Sequence, residues 1–164
     1  LIRSAGPTQA WAERGRKMGT TVDENKILVR RLGEAMNSRQ FELLDDIVAP
    51  DFVRHCQATP QADVRSLQAF KDYLRQDSVV FPDSVQTLKH QVAEGDFVAV
   101  WVTCEGTQKG PIGPFPASGR RMQLDFGAFL RVQNGKIAEM WVTWDNMALL
   151  AQLGHMPANP GATL

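Results

Sequence analysis

The chain has 164 residues, of which 43% are hydrophobic and 22% charged, the balance of a globular protein able to bury one core. Lysine plus arginine total 18, as do aspartate plus glutamate, so the formal net charge is zero. Nucleic acid and anionic membranes are therefore not expected as partners, because both call for a basic excess that the short Arg14-Gly15-Arg16-Lys17 cluster does not supply.

Leu1 to Lys17 shows no clear period, and Met18-Gly19 precedes the first helix signal. Residues 1–22 read either as an extension ahead of a start at Met18 or as an arm that packs on a partner subunit through a residue such as Trp11. Pro7, Gln9, Glu13 and Arg14 interrupt any secretory apolar core, and no apolar run reaches membrane-spanning length, so a cytoplasmic location is expected. Thr20-Thr21-Val22-Asp23 offers capping oxygens. Ile27, Leu28, Leu32 and Met36 then recur at helical spacing, predicting a helix over Asp23–Met36. Asn37-Ser38 breaks it, and Phe41, Leu44, Ile47 and Val48 form a second short helical face that Pro50 stops. Asp51 to His55 reads as a short strand, Thr59 to Asp63 as a loop, and Ser66 as the cap of a third helix carrying Phe70, Tyr73 and Leu74. Phe81-Pro82-Asp83 is a turn.

The second half is strand country. Ser84–Glu94 and Phe97–Glu105 form a hairpin about Gly95-Asp96, and Met122–Val132 and Lys136–Trp144 form another about Asn134-Gly135. Gly106 to Gly119, rich in glycine and proline, is a loop. Asn146 to Leu153 is a terminal helix closed by Gly154. Helices first and antiparallel strands afterwards mean α+β, here a strongly curved sheet whose concave face and covering helices enclose a small apolar pocket. The domain is expected over 23–154, with 155–164 as a tail. Dinucleotide, phosphate-loop, zinc-protease and serine-elbow motifs are absent from the sequence. Cys56 and Cys104 belong to no Cys-x-x-Cys pair, and the dispersed histidines have no metal-ligand spacing, so no metal is expected.

Two residues stand out for chemistry. With a regular pleat, Ile137, Glu139, Trp141, Thr143 and Asp145 share one side of the last strand, and Ala138, Met140, Val142 and Trp144 the other. An aspartate ending such a strand beside tryptophans would lose hydration, which raises its pKa and suits it to act as base and then acid. The same Asp145 is equally placed to cap the terminal helix. His55, ending the first strand, can hydrogen-bond a substrate carbonyl, hold a catalytic carboxylate, or serve structure alone. His90 and His155 read as structural or surface groups.

Taken together, Asp51-Phe52-Val53-Arg54-His55, Phe81-Pro82-Asp83, Glu94-Gly95-Asp96-Phe97-Val98-Ala99, Gly106-Thr107-Gln108-Lys109-Gly110, Gly119-Arg120-Arg121 and Gly135-Lys136-Ile137-Ala138-Glu139-Met140-Trp141, followed by Asp145 and Gln152-Leu153-Gly154, resemble the SnoaL-like polyketide cyclases and ester cyclases. The resemblance spans about Asp23 to Gly154. It implies the cone-shaped fold of the nuclear transport factor 2-like superfamily, a homodimer, and cofactor-free intramolecular aldol cyclisation of a small hydrophobic carbonyl substrate. It also implies that Asp145 is the general acid/base and that His55 lies in the pocket. On that pattern Asp145 takes the proton α to one carbonyl, the enolate attacks a second, and the new alkoxide recovers the proton. His55 and Gln108 would orient carbonyl oxygens, while Trp101, Phe126, Trp141, Trp144 and Phe81 would supply substrate-binding wall; strand parity keeps the strand aromatics from all facing inward. Gln108 stands where relatives often have histidine and cannot carry a proton as histidine does. Trp101 stands where many have arginine, which favours a more apolar ligand.

Because one fold hosts many chemistries, two other readings stay open. One is an isomerase, dehydratase or hydrolase; an epoxide hydrolase would need Arg121, Asp125 and Asp145 gathered in the pocket. The other is a non-catalytic ligand-binding module, which the missing loop histidine favours.

Overall fold

The computed structural model describes residues 20–59 and 62–156. The expected arm up to residue 19, including Trp11 and Met18, the loop residues Pro60 and Gln61, and the tail from residue 157 lie outside the described residues. Helix α1 is Val22–Ser38, followed by a 3-10 turn at Phe41–Leu43 and a one-turn helix α2 at Leu44–Ile47. Strand β1 (Val48–Cys56) leads to helix α3 (Leu67–Val80). Strands β2 (Val85–Glu94), β3 (Phe97–Thr107), β4 (Arg121–Gln133) and β5 (Lys136–Trp144) precede helix α4 (Asn146–Gln152).

The strands form one curved, unclosed sheet in the order β1-β5-β4-β3-β2. The four long strands pair antiparallel, whereas β1 joins the edge parallel to β5. Strand β1 also starts earlier than its sequence suggests. Val48 and Ala49 are already extended and buried, and Pro50 lies inside the strand rather than at the end of a helix. Val48 pairs with Ile137 and the next partner of β5 is Val53, so Pro50 falls in an irregular stretch of an edge strand, where its missing N–H costs no ladder bond.

Local chemistry explains the element ends. Thr21 and Glu24 form a reciprocal capping box on α1: the Thr21 N–H donates to Glu24 Oε2 at 2.7 Å, and the Glu24 N–H to Thr21 Oγ1 at 3.2 Å. Ser66 Oγ caps α3 by accepting from the Ala69 N–H at 3.1 Å. Asn134 (φ 52°) and Gly135 (φ 76°) take the left-handed pair that a tight hairpin requires.

Leu28, Val29, Leu32 and Ala35 bury one stripe of α1 against the sheet, and Phe52 of β1 meets Phe70 of α3 with ring centroids 4.7 Å apart. Along β3 and β4 the even-numbered residues (Val98, Val102; Met122, Ala128, Leu130) face this core, and odd-numbered Trp101 and Phe129 face out. Two ties set how the helices stand off the sheet. Asn37 at the end of α1 donates to the Gln86 carbonyl and accepts from its N–H, both at 2.8 Å. Arg39, in the left-handed region at φ 56°, reaches the carbonyls of Phe81 and Ser84.

The loop after β3 is pinned to the end of α3. Lys109 and Gly110 both donate to the Val80 carbonyl, and a Cβ on Gly110 would come within 3.0 Å of the Val79 carbonyl oxygen and Val80 Cα. Only glycine permits that approach without moving backbone.

Candidate functional site

Between the helices and the concave face of the sheet lies a cavity of about 340 Å³. Its walls are mostly apolar, with Phe70, Val102, Leu124, Phe126 and Trp144 among them. Exposed Arg30, Glu34 and Leu88 stand at the rim between α1 and β2.

Four deep groups break the apolar lining: Arg54 from β1, Tyr73 and Asp77 from α3, and Cys104 from β3. Asp77 continues the stripe of Phe70, Tyr73 and Leu74 down the inner face of α3. Its carboxylate makes no hydrogen bond or ion pair with any other described residue, so the cavity is what it faces. Loss of hydration raises its pKa, and the charges of Arg54 and Arg39 pull it only part of the way back. Burial likewise pushes the Tyr73 phenol up to about 12 and the Cys104 thiol up to about 12, with Asp77 adding to the latter, so both stay protonated at neutral pH. A thiol held in that state is no nucleophile.

Arg54 is buried, with 7% of its surface exposed. It donates through Nη1 to Thr59 Oγ1 and through Nη2 to the Tyr73 hydroxyl, both at 3.2 Å. Its guanidinium carbon lies 4.4 Å from the Tyr73 ring centroid and 5.8 Å from that of Trp144.

The residues expected to carry chemistry are distributed differently. Asp145 is exposed and accepts from the Ala148 N–H at 2.9 Å, capping α4; it does not line the cavity. His55 points to the opposite face of the sheet from Arg54, since neighbours on a strand alternate sides. There its Nε2–H donates to Glu139 Oε1 at 2.8 Å, and its ring stacks on Trp141 at 5.0 Å. Burial acts to raise the pKa of Glu139, but the hydrogen bonds from His55 and Arg131 outweigh it and hold the carboxyl below its usual range.

Gln108 is wholly buried but serves its own loop. Its amide donates to the carbonyls of Gly110 and Pro116, while Oε1 accepts from the Ser118 N–H and from His155 Nε2. Of the expected aromatic wall, Phe81, Phe126 and Trp144 line the cavity, whereas Trp101 and Trp141 lie on the outer face. The regular pleat assumed for β5 fails at Ala138, a bulge: Arg131 pairs with Glu139 and Val132 with Ile137. Ile137 thereby joins Met140 and Val142 on the buried side, and Glu139 and Trp141 turn outward. Arg121 pairs with Glu105 and Asp125 accepts from Thr103, so Arg121, Asp125 and Asp145 do not gather in the cavity.

Sequence reasoning missed Arg54 and Asp77. Arg54 lies two residues from Phe52, the natural core residue of its strand, and Asp77 lies three or four residues beyond Tyr73 and Leu74. Both periodicities were present to be read.

A five-stranded curved sheet wrapped by helices around an apolar chamber defines a nuclear transport factor 2-like α+β protein. The family model for SnoaL-like polyketide cyclase matches residues 26–153, and the chain belongs to that family. Among solved structures, it is similar to IdmH of Streptomyces antibioticus, provisionally assigned as a polyketide cyclase. That likeness has 31% identity and a TM-score of 0.70, covering 79% of this chain and 98% of IdmH. TsrD of Streptomyces laurentii is similar at 26% identity and a TM-score of 0.76, covering 84% and 100% of the two chains. AclR of Streptomyces galilaeus, provisionally assigned as a hydroxylase, is similar at 26% identity and a TM-score of 0.73, covering 86% and 87%. No protein of curated function matches this chain. Among the described residues, no helix is long and apolar enough to cross a membrane.

Proposed function

We propose that this protein is a cytoplasmic cyclase-type enzyme, of the lyase or isomerase kind. It would close a ring in a small hydrophobic carbonyl substrate by cofactor-free intramolecular aldol addition, with Asp77 as the acid/base. The observation that carries this reading is a carboxyl with no partner among the described residues, on the wall of an apolar cavity where lost hydration raises its pKa. Asp145, which the family pattern would put in this role, is occupied by the Ala148 N–H.

The Asp77 carboxylate removes a proton α to one carbonyl, leaving the electron pair as an enolate. The enolate carbon bonds to a second carbonyl carbon, whose π electrons move to oxygen, and protonated Asp77 returns its proton there. Holding the two ends of a flexible substrate together in the cavity supplies much of the acceleration. A carboxyl whose pKa lies above the usual range is a stronger base when ionised and gives the proton back later in the same cycle.

Proton abstraction can be tested without knowing the natural substrate. In D2O, the protein should accelerate deuterium entry at the α carbon of an apolar ketone such as 1-tetralone by about 10²-fold or more over buffer, followed by proton NMR. Saturable binding of such ketones with no exchange above buffer would instead make the protein a binding module. That alternative draws support from Gln108 and Asp145 both being engaged in structural hydrogen bonds.

We propose further that the protein works as a homodimer joined through the outer face of the sheet. Val92, Trp101 and Phe129 are 66%, 47% and 59% exposed there, around a groove of about 660 Å³ that also holds His55 and Trp141. A monomer rarely leaves so contiguous an apolar patch in water. Sedimentation equilibrium should give twice the chain mass for the wild type and the chain mass for Phe129→Glu; a monomeric wild type would refute the pairing.

A further inference from the structure

We propose that the cavity selects an apolar molecule bearing one oxyanion, an enolate or a carboxylate, which the guanidinium of Arg54 receives. The proposal rests on the reading of this cavity as the substrate site and adds what class of molecule it takes.

Among the described residues, Arg54 is a buried cation with no carboxylate within ion-pair distance. Arg65, Arg75, Arg121 and Arg131 all lie nearer the surface, and each has a carboxylate partner at 2.7–3.1 Å. Asp77 shares the cavity with Arg54 and acts on it through space, but makes no contact pair with it. A buried charge without a counter-ion is costly, and the cost is recovered when an anion arrives.

The guanidinium is also already oriented. Its plane is held by the Tyr73 and Trp144 rings, and its bonds to described residues go to neutral hydroxyl oxygens, Thr59 Oγ1 and the Tyr73 OH. Of its five N–H groups, three have no partner among the described residues and can be offered to a ligand. A planar, pre-positioned fork with donors in reserve suits a delocalised oxyanion, which accepts two parallel N–H bonds. Apart from Tyr73, Asp77 and Cys104, the deep wall of the chamber is mostly apolar, so the skeleton that carries the oxyanion should be apolar. In the aldol sequence such an anion is the enolate itself, and Arg54 would hold its oxygen while the carbon end reacts.

The test compares two probes of equal shape, 2-naphthoate and 2-naphthamide, titrated calorimetrically into the full chain. The wild type should bind the naphthoate about tenfold or more tightly, as a charge-assisted bond implies. Arg54→Met should bring the two affinities within about twofold of each other. Arg54→Lys, which keeps the charge but loses the fork, should fall between. Equal affinities in the wild type, no saturable binding of either probe, or a preference that survives Arg54→Met would overturn the proposal. The wild-type ratio decides the matter even if Arg54→Met fails to fold. Because the ratio is measured without turnover, it separates the two readings. Anion preference without α-proton exchange removes the catalytic role of Asp77 alone, and exchange without anion preference removes the role of Arg54 alone.

Discussion

Asp77→Asn should lower the rate of α-proton exchange, and of any cyclisation the protein performs, by about 10²–10⁴-fold, the usual contribution of a positioned acid/base. Asparagine has nearly the same shape and cannot take a proton. The carboxylate it replaces makes no hydrogen bond to a described residue, so the substitution leaves no described donor without an acceptor. Ligand affinity should therefore change far less than turnover, and a fall in KM-independent rate with intact binding is the signature to look for.

The same variant makes a thermodynamic prediction of opposite sign. Burial raises the pKa of Asp77 in the folded state above its ordinary value of 3.8. The native protein thus holds this proton to higher pH than the unfolded chain does. Its contribution to stability is complete below the unfolded pKa and is lost as pH rises through the folded one. Asp77→Asn removes that loss. The urea midpoint of the variant, compared with wild type, should improve from about pH 4 upward and then level off above the folded pKa. Full activity in the variant, or a variant less stable than wild type at neutral pH, would each contradict the environment described for this carboxyl.

The largest effect on stability is expected at Phe52. Its ring is completely buried and packs on Phe70, tying β1 to α3. Phe52→Ala should cost about 3–5 kcal/mol, because the surrounding residues cannot collapse into the space. For a chain of this size that corresponds to a melting temperature lower by roughly 6–20 °C. Leu124→Ala offers the contrast. Leu124 is half-buried and already borders the cavity, so its truncation enlarges an existing space and loses about 1–2 kcal/mol of partial burial. Equal losses in the two variants, measured by calorimetry, would mean that the cavity is not open in solution. A larger loss at Phe52 with altered ligand size selection at Leu124 would separate frame from chamber.

Much of this fold is legible in the chain. The caps at Thr21 and Ser66 and the hairpin residues Gly95-Asp96 and Asn134-Gly135 act through bonds and dihedral preferences within a few residues. The strands read at Phe97–Glu105 and Met122–Val132 likewise form, and they pair in regular antiparallel register. Phe81, Phe126 and Trp144, expected as substrate-binding wall, border the cavity. Pro50 was not readable in the same way: a proline that ends a helix and one tolerated in an edge strand look alike until the edge is known.

The site was less legible. A side chain's surroundings depend on which face is covered, and sequence periodicity leaves that sign undetermined. His55 and Arg54 are adjacent, and a shift of one residue exchanges outer face for chamber. On β5 the bulge at Ala138 reverses the alternation, placing Glu139 and Trp141 outside.

Asp145 shows the same limit from another side. Its position before a helix makes it both a favoured cap and the end of a strand, and only the course of the chain after Trp144 selects the first.

The class of fold, the order of helices and strands, the turns, and the lack of a basic excess for a polyanion can all be read from the chain, because they follow from local preferences and from sums over residues. Which carboxyl and which cation share a water-poor chamber depends instead on long-range packing. Arg54 and Asp77 lie on different elements, and their meeting follows from how α3 seats on the curved sheet, a packing arrangement that no local pattern encodes.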